Sequence, residues 1–370
     1  MIRSTLGRGR RVAQAARRFL VDRRRHRAIA RSTPARGRVA VFYGYDRIPS
    51  LDEPAHGGTV KFQQLQRVFP NESRAFNILY LGSSNRPADS SALKRLARAH
   101  RGAIVLNQDG VAYPGWHGPG WERTNEPLAE LLHAADHVFF QSAFCKRSAD
   151  RFLGDRQRAW EILHNPVDTE RFVLGERGAR PLTLLLGGNQ YQRYRFESAV
   201  RALALVAQER ETRLLVGGRI SWHADARKAE QEAAELIEET GVVELVELVG
   251  TFTQRDAPGL YRRADVLVHT KYNDPCPTVV LEAMASGLPV VHSESGGTPE
   301  LVGDTGVGVP APEDWERDHP PEPEVLMRAI LEAADRREEL GLAARARAVD
   351  RFDLRRWIGR HRELFEELVS

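Results

Sequence analysis

Long apolar runs are missing from this 370-residue chain. No stretch reaches about 18 consecutive apolar residues, so we expect no helix that crosses a membrane. Cysteine is also scarce. The two thiols, Cys145 and Cys276, fall in different halves of the sequence with no pairing logic, and neither has neighbours that would complete a metal site. This shortage argues against a disulfide-stapled secreted protein and favours a reducing cytoplasm.

Motifs that would define other protein classes are absent too. No G-x-G-x-x-G follows a predicted strand, which disfavours a dinucleotide-dependent dehydrogenase, and no P-loop sequence occurs. The chain has no D-x-D and no cluster of His, Cys and carboxylates, so we expect neither a catalytic metal nor another cofactor. We expect no nucleic-acid partner, because the arginine-rich segment lacks interleaved aromatic residues and a known binding module.

Negative charge is nearly absent from the first 38 residues. They contain thirteen Arg and one acid, Asp22, a net charge of +12, so the rest of the chain carries −8 within the overall +4. Apolar residues recur there at near-helical spacing: Ile2, Leu6, Val12, Ala16, Phe19 and Leu20. A basic amphipathic helix on an anionic membrane fits this pattern, and so do a solvated arm and an Arg-rich transit peptide. Because the segment precedes the first predicted strand, we expect it to add nothing to the core.

From Val39 onward, short apolar runs alternate with longer amphipathic stretches. Strands are predicted at 39–43, 76–81, 102–107, 137–141, 182–186, 212–217, 244–250, 265–270, 289–293 and 307–310. Helices are predicted at 59–68, 89–100, 125–135, 143–153, 195–208, 224–239, 255–263, 278–286 and 353–369. This alternation predicts an α/β protein with parallel sheets covered on both faces, and the length suits two domains of roughly 150 residues each.

The most informative stretch runs from Asp274 to Gly303. Pro275 and Pro277 end the preceding strand and place Asp274 on a strand-to-helix loop. The helix at 278–286 is apolar nearly all round but carries Glu282, and a buried carboxylate needs hydrogen-bond donors. The hydroxyls of a ribose or a sugar would supply them, whereas a nearby Arg or backbone amide is the purely structural alternative.

A glycine pair follows the next strand of this stretch. Gly296 and Gly297 precede Thr298, an expected N-cap, with Pro299 at the first helical position. Two glycines at a helix start let a ligand approach the backbone N–H groups, although such a pair is also common in a simple turn. The pair is therefore a second candidate element of a binding site.

Together these features resemble the signature of family-four retaining glycosyltransferases of the GT-B fold, also described as glycosyl transferases group 1. The resemblance lies in Asp274 and Glu282 with seven residues between them, followed by AMASGLPVV and SGGTPELV, and it extends over roughly residues 38–370. It implies two Rossmann-like domains facing a central cleft. The expected division is a basic arm at 1–37, an acceptor domain at 38–170, a nucleotide-sugar domain at 171–350 and a C-terminal helix at 351–370 that crosses back.

The resemblance also implies an activity and a set of site residues. The expected enzyme moves a hexosyl or other glycosyl group, with retention, from a nucleotide sugar to a hydroxyl of a cell-envelope glycan or lipid-linked saccharide, as in polysaccharide biosynthesis. Its implied catalytic residues are Asp274 and Glu282. Asp109, at the end of a predicted strand, is a third candidate that a plain Asp-Gly turn would also explain. The donor-binding candidates are Gly57, Gly58, Gly188, Arg193, Arg195, Lys271, Pro277, Thr278, Gly296 and Gly297.

The chain departs from the family pattern at two places. Asp274 stands where the family usually has Glu, one methylene longer. Asn189 stands where an Arg is usual, and Tyr194 lies near the position of a Lys that clamps the donor diphosphate. Arg193 or Arg195 would take over that clamp because guanidinium groups suit phosphate oxygens, and Lys271 is the third candidate.

Two other interpretations stay open at the level of sequence. One is a catalytically silent sugar-nucleotide-binding or scaffold protein of the same fold, and the other is a nucleotide-sugar epimerase or a phosphorylase. On the leading interpretation the partners are a nucleotide-sugar donor, a glycan or lipid-linked acceptor that the loop at 113–121 could contact, and an anionic membrane surface bound through residues 1–38. The expected location is cytoplasmic and peripheral, on the inner face of the plasma membrane.

Overall fold

Two parallel β-sheets, one in each half of the chain, organise the computed structural model, which describes residues 21–55, 57–175 and 181–370. The predicted α/β class with two Rossmann-like domains is confirmed. The apolar residues predicted to form a helix before position 21, and residues 176–180 of the segment that links the two sheets, lie outside the described residues.

The first sheet has five parallel strands in the order β1-β2-β3-β4-β5. They are β1 Val41–Phe42, β2 Ile78–Gly82, β3 Ala103–Gln108, β4 His137–Phe140 and β5 Trp160–Ile162. The surrounding helices are α1 over residues 21–31, α2 Gly57–Leu65, α3 Ser90–Ala99, α4 Pro114–His117, α5 Trp121–Ala134 and α6 Ala143–Leu153. Strands β2 to β4 are buried on both faces, which explains why they are continuous apolar runs rather than alternating ones.

The second sheet has six parallel strands in the order β11-β10-β9-β6-β7-β8. They are β6 Leu182–Leu186, β7 Thr212–Gly217, β8 Val246–Gly250, β9 Val266–His269, β10 Val290–Ser293 and β11 Val307–Val309. Strand β6 pairs with both β7 and β9, so the strand order reverses between β6 and β9. Doubly wound sheets bind their ligands outside the carboxyl ends of the strands at such a point.

Eight helices of the described chain accompany the second sheet or follow it. They are α7 Arg193–Glu209, α8 Ala226–Glu239, α9 Ala257–Arg262, α10 Thr278–Ala285, α11 Thr298–Val302, α12 Pro323–Asp335, α13 Arg337–Arg351 and α14 Leu354–Val369, and a 3₁₀ turn spans Val243–Leu245. Helices α12 and α13, together with α4 and β5, are additional to the predicted elements. In α12, Leu326, Ile330 and Ala333 face the core at helical spacing, so its period is present in the sequence.

The C-terminal helix α14 leaves the second domain and packs against the first sheet. Trp357 and Phe365 join the buried aromatic cluster around Tyr80. His361, on the same face of α14, lies with its Nε2 2.9 Å from Tyr80 Oη. The crossing is fixed by the backbone, since the Val167 amide donates to the carbonyl of Phe352 at 2.8 Å. The two domains are thus joined by a second chain crossing besides the linker.

Helix α1 belongs to the first domain. Ile29 is fully buried in the core beneath β2 and β3, and Arg25 donates to Asp22 at 2.9 Å and forms an ion pair with Asp89. The expectation that this segment adds nothing to the core is therefore wrong, because its inward face carries one apolar anchor and one paired arginine. Over the three described ranges no helix combines the length and the apolar character that a membrane span requires.

Candidate functional site

The carboxyl ends of β6 and β9 meet where the second sheet faces the first domain. The loop after β9 carries Asp274, and the start of α10 follows it. A Cβ built on Gly57, the first residue of α2, would lie 3.9 Å from Thr278 Oγ1 at the start of α10. A Cβ built on Gly110, after β3, would lie 3.7 Å from the ring of Pro275. Loops at the carboxyl ends of both sheets therefore meet in one cleft, as the resemblance implies for a GT-B protein.

Asp274 is a buried, ionised carboxylate at the centre of this cleft. Its Oδ2 lies 3.1 Å from Lys271 Nζ and 3.2 Å from His269 Nε2. Burial alone would raise the pKa of Asp274, but the Lys271 charge and the His269 hydrogen bond outweigh it and hold the pKa well below its usual range. Burial lowers the pKa of His269 to about 4, against the opposing pull of Asp274. At neutral pH Asp274 is therefore a carboxylate and His269 a neutral imidazole.

The backbone beside Asp274 is held in an unusual conformation. Asn273 has a φ of 50°, in the left-handed region that a residue with a side chain rarely adopts. Its amide donates to Ser295 Oγ at 2.9 Å, and its side-chain Nδ2 donates to the carbonyl of Asp314 at 2.9 Å. These bonds hold the strained residue in place, and strain of this kind is concentrated at functional sites.

The glycine pair packs directly on the Asp274 loop. The Gly297 amide donates to the carbonyl of Asp274 at 2.8 Å, and a Cβ on Gly297 would lie 2.0 Å from the carbonyl oxygen of Pro275. Gly296 has a φ of 73°, and a Cβ on it would lie 2.7 Å from the backbone of Asp274. Both positions need glycine because two loops touch there. Helix α11 begins one residue earlier than predicted, since Gly297 is the N-cap and Thr298 is already helical.

Glu282 lies one turn into α10 and is only 2% exposed. Its Oε1 accepts a hydrogen bond from Gln254 Nε2 at 2.9 Å, and its Oε2 accepts one from Tyr261 Oη at 2.7 Å. Burial raises the pKa of Glu282 even though both hydrogen bonds act in the opposite direction. The partners are thus an amide and a phenol, not the Arg or backbone amide of the structural alternative. Gln254, Thr278 and Glu282 border a small cavity that α2 closes from the other domain.

The two arginines of the predicted diphosphate clamp occupy different places. Arg195 is 3% exposed, and its guanidinium donates to the carbonyls of Asn189 at 3.1 Å and Gly187 at 3.3 Å. Arg195 therefore stabilises the loop after β6 through these two carbonyls and is buried against it. The Arg193 side chain is half exposed and lies within 4 Å of Glu197 and Glu232, on the outer side of α7. The structure brings neither guanidinium into hydrogen-bond contact with Asp274, whereas it does bring Lys271 there.

Two neighbouring residues shape the loop after β6: Gly188, one of the predicted donor-binding residues, and Asn189, which was not predicted to bind the donor. Gly188 has a φ of 83°, and a Cβ on it would lie 3.4 Å from Val279 of α10, so the loop passes close over the helix start. Asn189 accepts from the backbone amide of Arg219 at 2.9 Å and so ties this loop to the one after β7. Arg219 itself is exposed at the end of β7. Its position beside β6 marks it as a further candidate cation for the cleft.

Asp109 lies in a buried polar network of the first domain. Its carboxylate accepts from the backbone amides of Ser84 and Gly110, each at 2.9 Å, and from the Ser83 hydroxyl. Lys61 Nζ lies 3.3 Å from its Oδ2. Burial opposes ionisation, but Lys61 and the hydrogen bonds lower the pKa of Asp109. These contacts supply a complete structural explanation for this carboxylate, and its catalytic role stays a prediction.

The same network reaches the second domain through side chains that no motif marks. Lys61 donates to Asn107 Oδ1 at 2.6 Å, as does Gln141 Nε2. Asn165 Nδ2 donates both to Gln141 Oε1 and to the carbonyl of Cys276, each at 2.8 Å. The lysine between Val60 and Phe62 in α2 is a signal in the sequence that could have indicated it. Among the described residues, no group of three or more His, Cys and acidic side chains is arranged to hold a metal ion.

Part of the chain is similar in sequence to known proteins. Residues 180–318 match the family model for glycosyl transferases group 1. A D-inositol 3-phosphate glycosyltransferase from Corynebacterium kroppenstedtii is 29% identical over 137 residues, which are 36% of this chain and 28% of that protein. Spore coat protein SA from Bacillus subtilis is 33% identical over 105 residues, 28% of this chain and 26% of that protein. The chain thus matches little more than a quarter of the length of these relatives.

Solved structures are similar over a much larger share of the chain. A sucrose-phosphate synthase from Thermosynechococcus elongatus gives a TM-score of 0.66 at 18% identity, over 79% of this chain and 74% of that one. Anabaena HepE in complex with UDP-glucose gives 0.65 at 17% identity, over 84% and 82%. The fold is therefore that of the GT-B glycosyltransferases.

Proposed function

We propose that this protein is a retaining glycosyltransferase that moves a sugar from a nucleotide-sugar donor to a hydroxyl acceptor. The observation that carries the proposal is the cluster of Asp274, Lys271 and His269 at the switch point of the second sheet, followed in the next helix by the buried Glu282. The choice of donor is supported by Anabaena HepE, whose structures contain UDP and UDP-glucose. The match to glycosyl transferases group 1 spans the same cluster.

In this proposal each charged group acts on a different part of the donor. Glu282 holds the ribose hydroxyls, which must share or replace the hydrogen bonds from Gln254 and Tyr261. Asp274 and the backbone at Pro277 and Thr278 orient the sugar. Lys271 stabilises the negative charge that develops on the departing phosphate, since a fixed cation in a dry site stabilises such charge strongly.

The chemical step then needs no protein nucleophile. The bond from the anomeric carbon to the phosphate oxygen breaks, and the acceptor oxygen bonds to the same face of that carbon. The acceptor proton passes to the departing phosphate oxygen. Proton NMR of the new anomeric centre tests this scheme: we expect the configuration of the donor in the product, and an inverted product would refute the mechanism.

The acceptor is proposed to be a cell-envelope glycan or a lipid-linked saccharide at the cytoplasmic membrane face. Support comes from α1, where Arg24, Arg27 and Arg31 are exposed at helical spacing while Ile29 is buried on the opposite side. Basic residues near an anionic leaflet contribute about 1 kcal/mol each. Docking α1 on the domain leaves this arginine face available to a membrane surface.

A second candidate is a silent sugar-nucleotide-binding protein of the same fold. The placement of Arg195 beneath the loop, and of Arg193 on the outer side of α7, favours it because neither forms the expected diphosphate clamp. The two candidates differ in turnover. A glycosyltransferase releases nucleoside diphosphate when donor and acceptor-containing membranes are supplied together, whereas a silent protein binds the nucleotide sugar and leaves it intact.

A further inference from the structure

The loop that joins β11 to α12 extends from the second domain onto the first. Trp315, at its centre, is buried among Tyr113, Phe144 and Phe152 of the first domain, with ring centroids 5.0 to 5.2 Å apart. Its carbonyl accepts from the Gly115 amide at 2.8 Å. The loop therefore lies across the cleft and is anchored on its far side by an aromatic side chain.

The near side of this loop is fixed to the residues that immediately precede Asp274. The Asp314 amide donates to Tyr272 Oη at 2.7 Å, and Asn273 Nδ2 donates to the Asp314 carbonyl at 2.9 Å. Tyr272 Oη in turn donates to the carbonyl of Pro312. These contacts hold residues 312–315 of the loop beside the residues that precede Asp274, and Asp318 follows three residues after Trp315.

Two aspartates on this loop differ in their contacts. Asp314 is satisfied by His319 Nε2 at 2.7 Å and by the Glu316 amide at 2.8 Å. Asp318 has only a long contact of 3.5 Å from Gln192 Nε2 to its Oδ2. Its Oδ1 is buried, and no described group donates to it. A buried carboxylate oxygen without a donor is costly, so a ligand that supplies one would be favoured at this point.

The surroundings of Asp318 locate it between the two walls of the cleft. Burial raises its pKa to about 6, with Lys271 and His319 acting in the opposite direction. Burial likewise raises the pKa of Tyr113, from the first domain, and of Tyr194, from the second, and the charge of Asp318 adds to both shifts. A carboxylate there repels a diphosphate but accepts hydrogen bonds from neutral hydroxyls.

We propose that Asp318 contacts the donor sugar, with its free Oδ1 accepting a hydrogen bond from a hydroxyl of the glycosyl group. This inference rests on the proposed function. It adds a second carboxylate to the sugar side of the site, supplied by a loop outside the Asp274–Glu282 motif. Asp318 would thereby select for donors that present a hydroxyl at this position.

The test compares nucleotide sugars with their nucleotides by calorimetry. Full-length protein, Asp318→Ala and Asp318→Asn are titrated with UDP-glucose, UDP-N-acetylglucosamine and GDP-mannose, and separately with UDP and GDP. Glu316→Gln, an exposed acid on the same loop, is the matched control. For the nucleotide sugar that wild type binds best, we expect both Asp318 variants to lose affinity, Asp318→Ala by about tenfold or more, while affinity for the matching nucleotide changes less than about twofold.

The remaining outcomes overturn the inference in distinguishable ways. Unchanged affinity for the nucleotide sugar in both variants removes Asp318 from the sugar site but leaves the proposed function standing. A gain in affinity for nucleotide and nucleotide sugar alike means that the carboxylate only repels the diphosphate. No binding of any nucleotide sugar by folded wild type rejects the proposed function and this inference together. Melting curves for each variant establish that the folded protein is being compared.

Discussion

Tyr261 Oη donates a 2.7 Å hydrogen bond to Glu282 Oε2 within the second domain. Tyr261 lies on α9 and Glu282 on α10, and both are nearly inaccessible to solvent. With Gln254 on the other oxygen, the carboxylate has one orientation fixed before any ligand arrives. Glu282, the residue proposed to bind the ribose, is therefore preorganised. The Tyr261 phenol helps to orient it, and the binding motif alone does not reveal that contribution.

Removing that phenol should destabilise the protein. Tyr261→Phe leaves Glu282 Oε2 buried without its donor, and the loss of a hydrogen bond to a charged group costs about 1.5–3 kcal/mol. Denaturant titration of wild type and Tyr261→Phe measures this cost as a difference in the free energy of unfolding. In the background of Glu282→Gln the same Tyr261→Phe change should cost clearly less. Equal costs in the two backgrounds would show that the carboxylate of Glu282 adds nothing to this hydrogen bond beyond what a neutral amide would give.

The two arginines of α7 should behave differently. Arg195→Ala removes a buried guanidinium from the carbonyls of Gly187 and Asn189, and we expect a loss of roughly 2–4 kcal/mol in the free energy of unfolding. Arg193→Ala, at an exposed position, should change it by less than about 0.5 kcal/mol. Denaturation curves of both variants provide the comparison. A stable Arg195→Ala protein with weakened donor binding would instead make Arg195 a ligand residue.

Asp318 gives a pH dependence of stability whose sign is fixed by its raised pKa. The pKa is about 6 in the folded protein, against about 3.9 in an unfolded chain. The folded state therefore binds the proton more tightly, and its stability falls as pH rises from about 4 to about 6. Asp318→Asn removes this loss. The melting temperature of Asp318→Asn should exceed that of wild type at about pH 8 and equal it near pH 4. A difference in melting temperature that does not change with pH would contradict the raised pKa of Asp318.

The arginine face of α1 should determine binding to anionic membranes. We compare wild type with Arg24→Gln/Arg27→Gln/Arg31→Gln, which keeps Ile29 and Arg25 and so keeps α1 docked. Each charge is worth about 1 kcal/mol near the surface, so at low salt the triple variant should co-sediment with phosphatidylserine vesicles much less than wild type does. Neither protein should co-sediment with neutral vesicles. Undiminished binding by the triple variant would place the anchor elsewhere.

The sequence predicted the sheet architecture well because parallel strands buried on both faces are short apolar runs bounded by turn residues. The motif from Asp274 to Gly297 likewise indicated which loops face the cleft. The reason for the glycines was not accessible, since Gly296 and Gly297 are required by contact with Asp274 and Pro275, more than twenty residues earlier. Local sequence gave the position of that pair but not its partner.

Side-chain partners were the part that sequence could not supply. Arg195 looks like a solvent-facing cation until α7 places it under its own loop, and Glu282 finds its donors 21 and 28 residues away. The cysteines show the same limit. They come from different halves of the chain, yet Cys145 Sγ lies 3.9 Å from the carbonyl of Pro275, the residue before Cys276. The contact between the two domains brings Cys145 and Pro275 together, whereas the folding of the second domain alone brings Arg195 and Glu282 to their partners.

The most direct measurement is calorimetric titration of nucleotide sugars into wild type and Glu282→Gln. Wild type should bind at least one nucleotide sugar of a panel with UDP, GDP and ADP bases. Glu282→Gln should lower the affinity for that nucleotide sugar and for its nucleotide alike by about tenfold or more, which is about 1.4 kcal/mol. Both ligands should be affected because both contain the ribose. Binding that is equally tight in wild type and Glu282→Gln, or absent from folded wild type across the panel, would contradict the account.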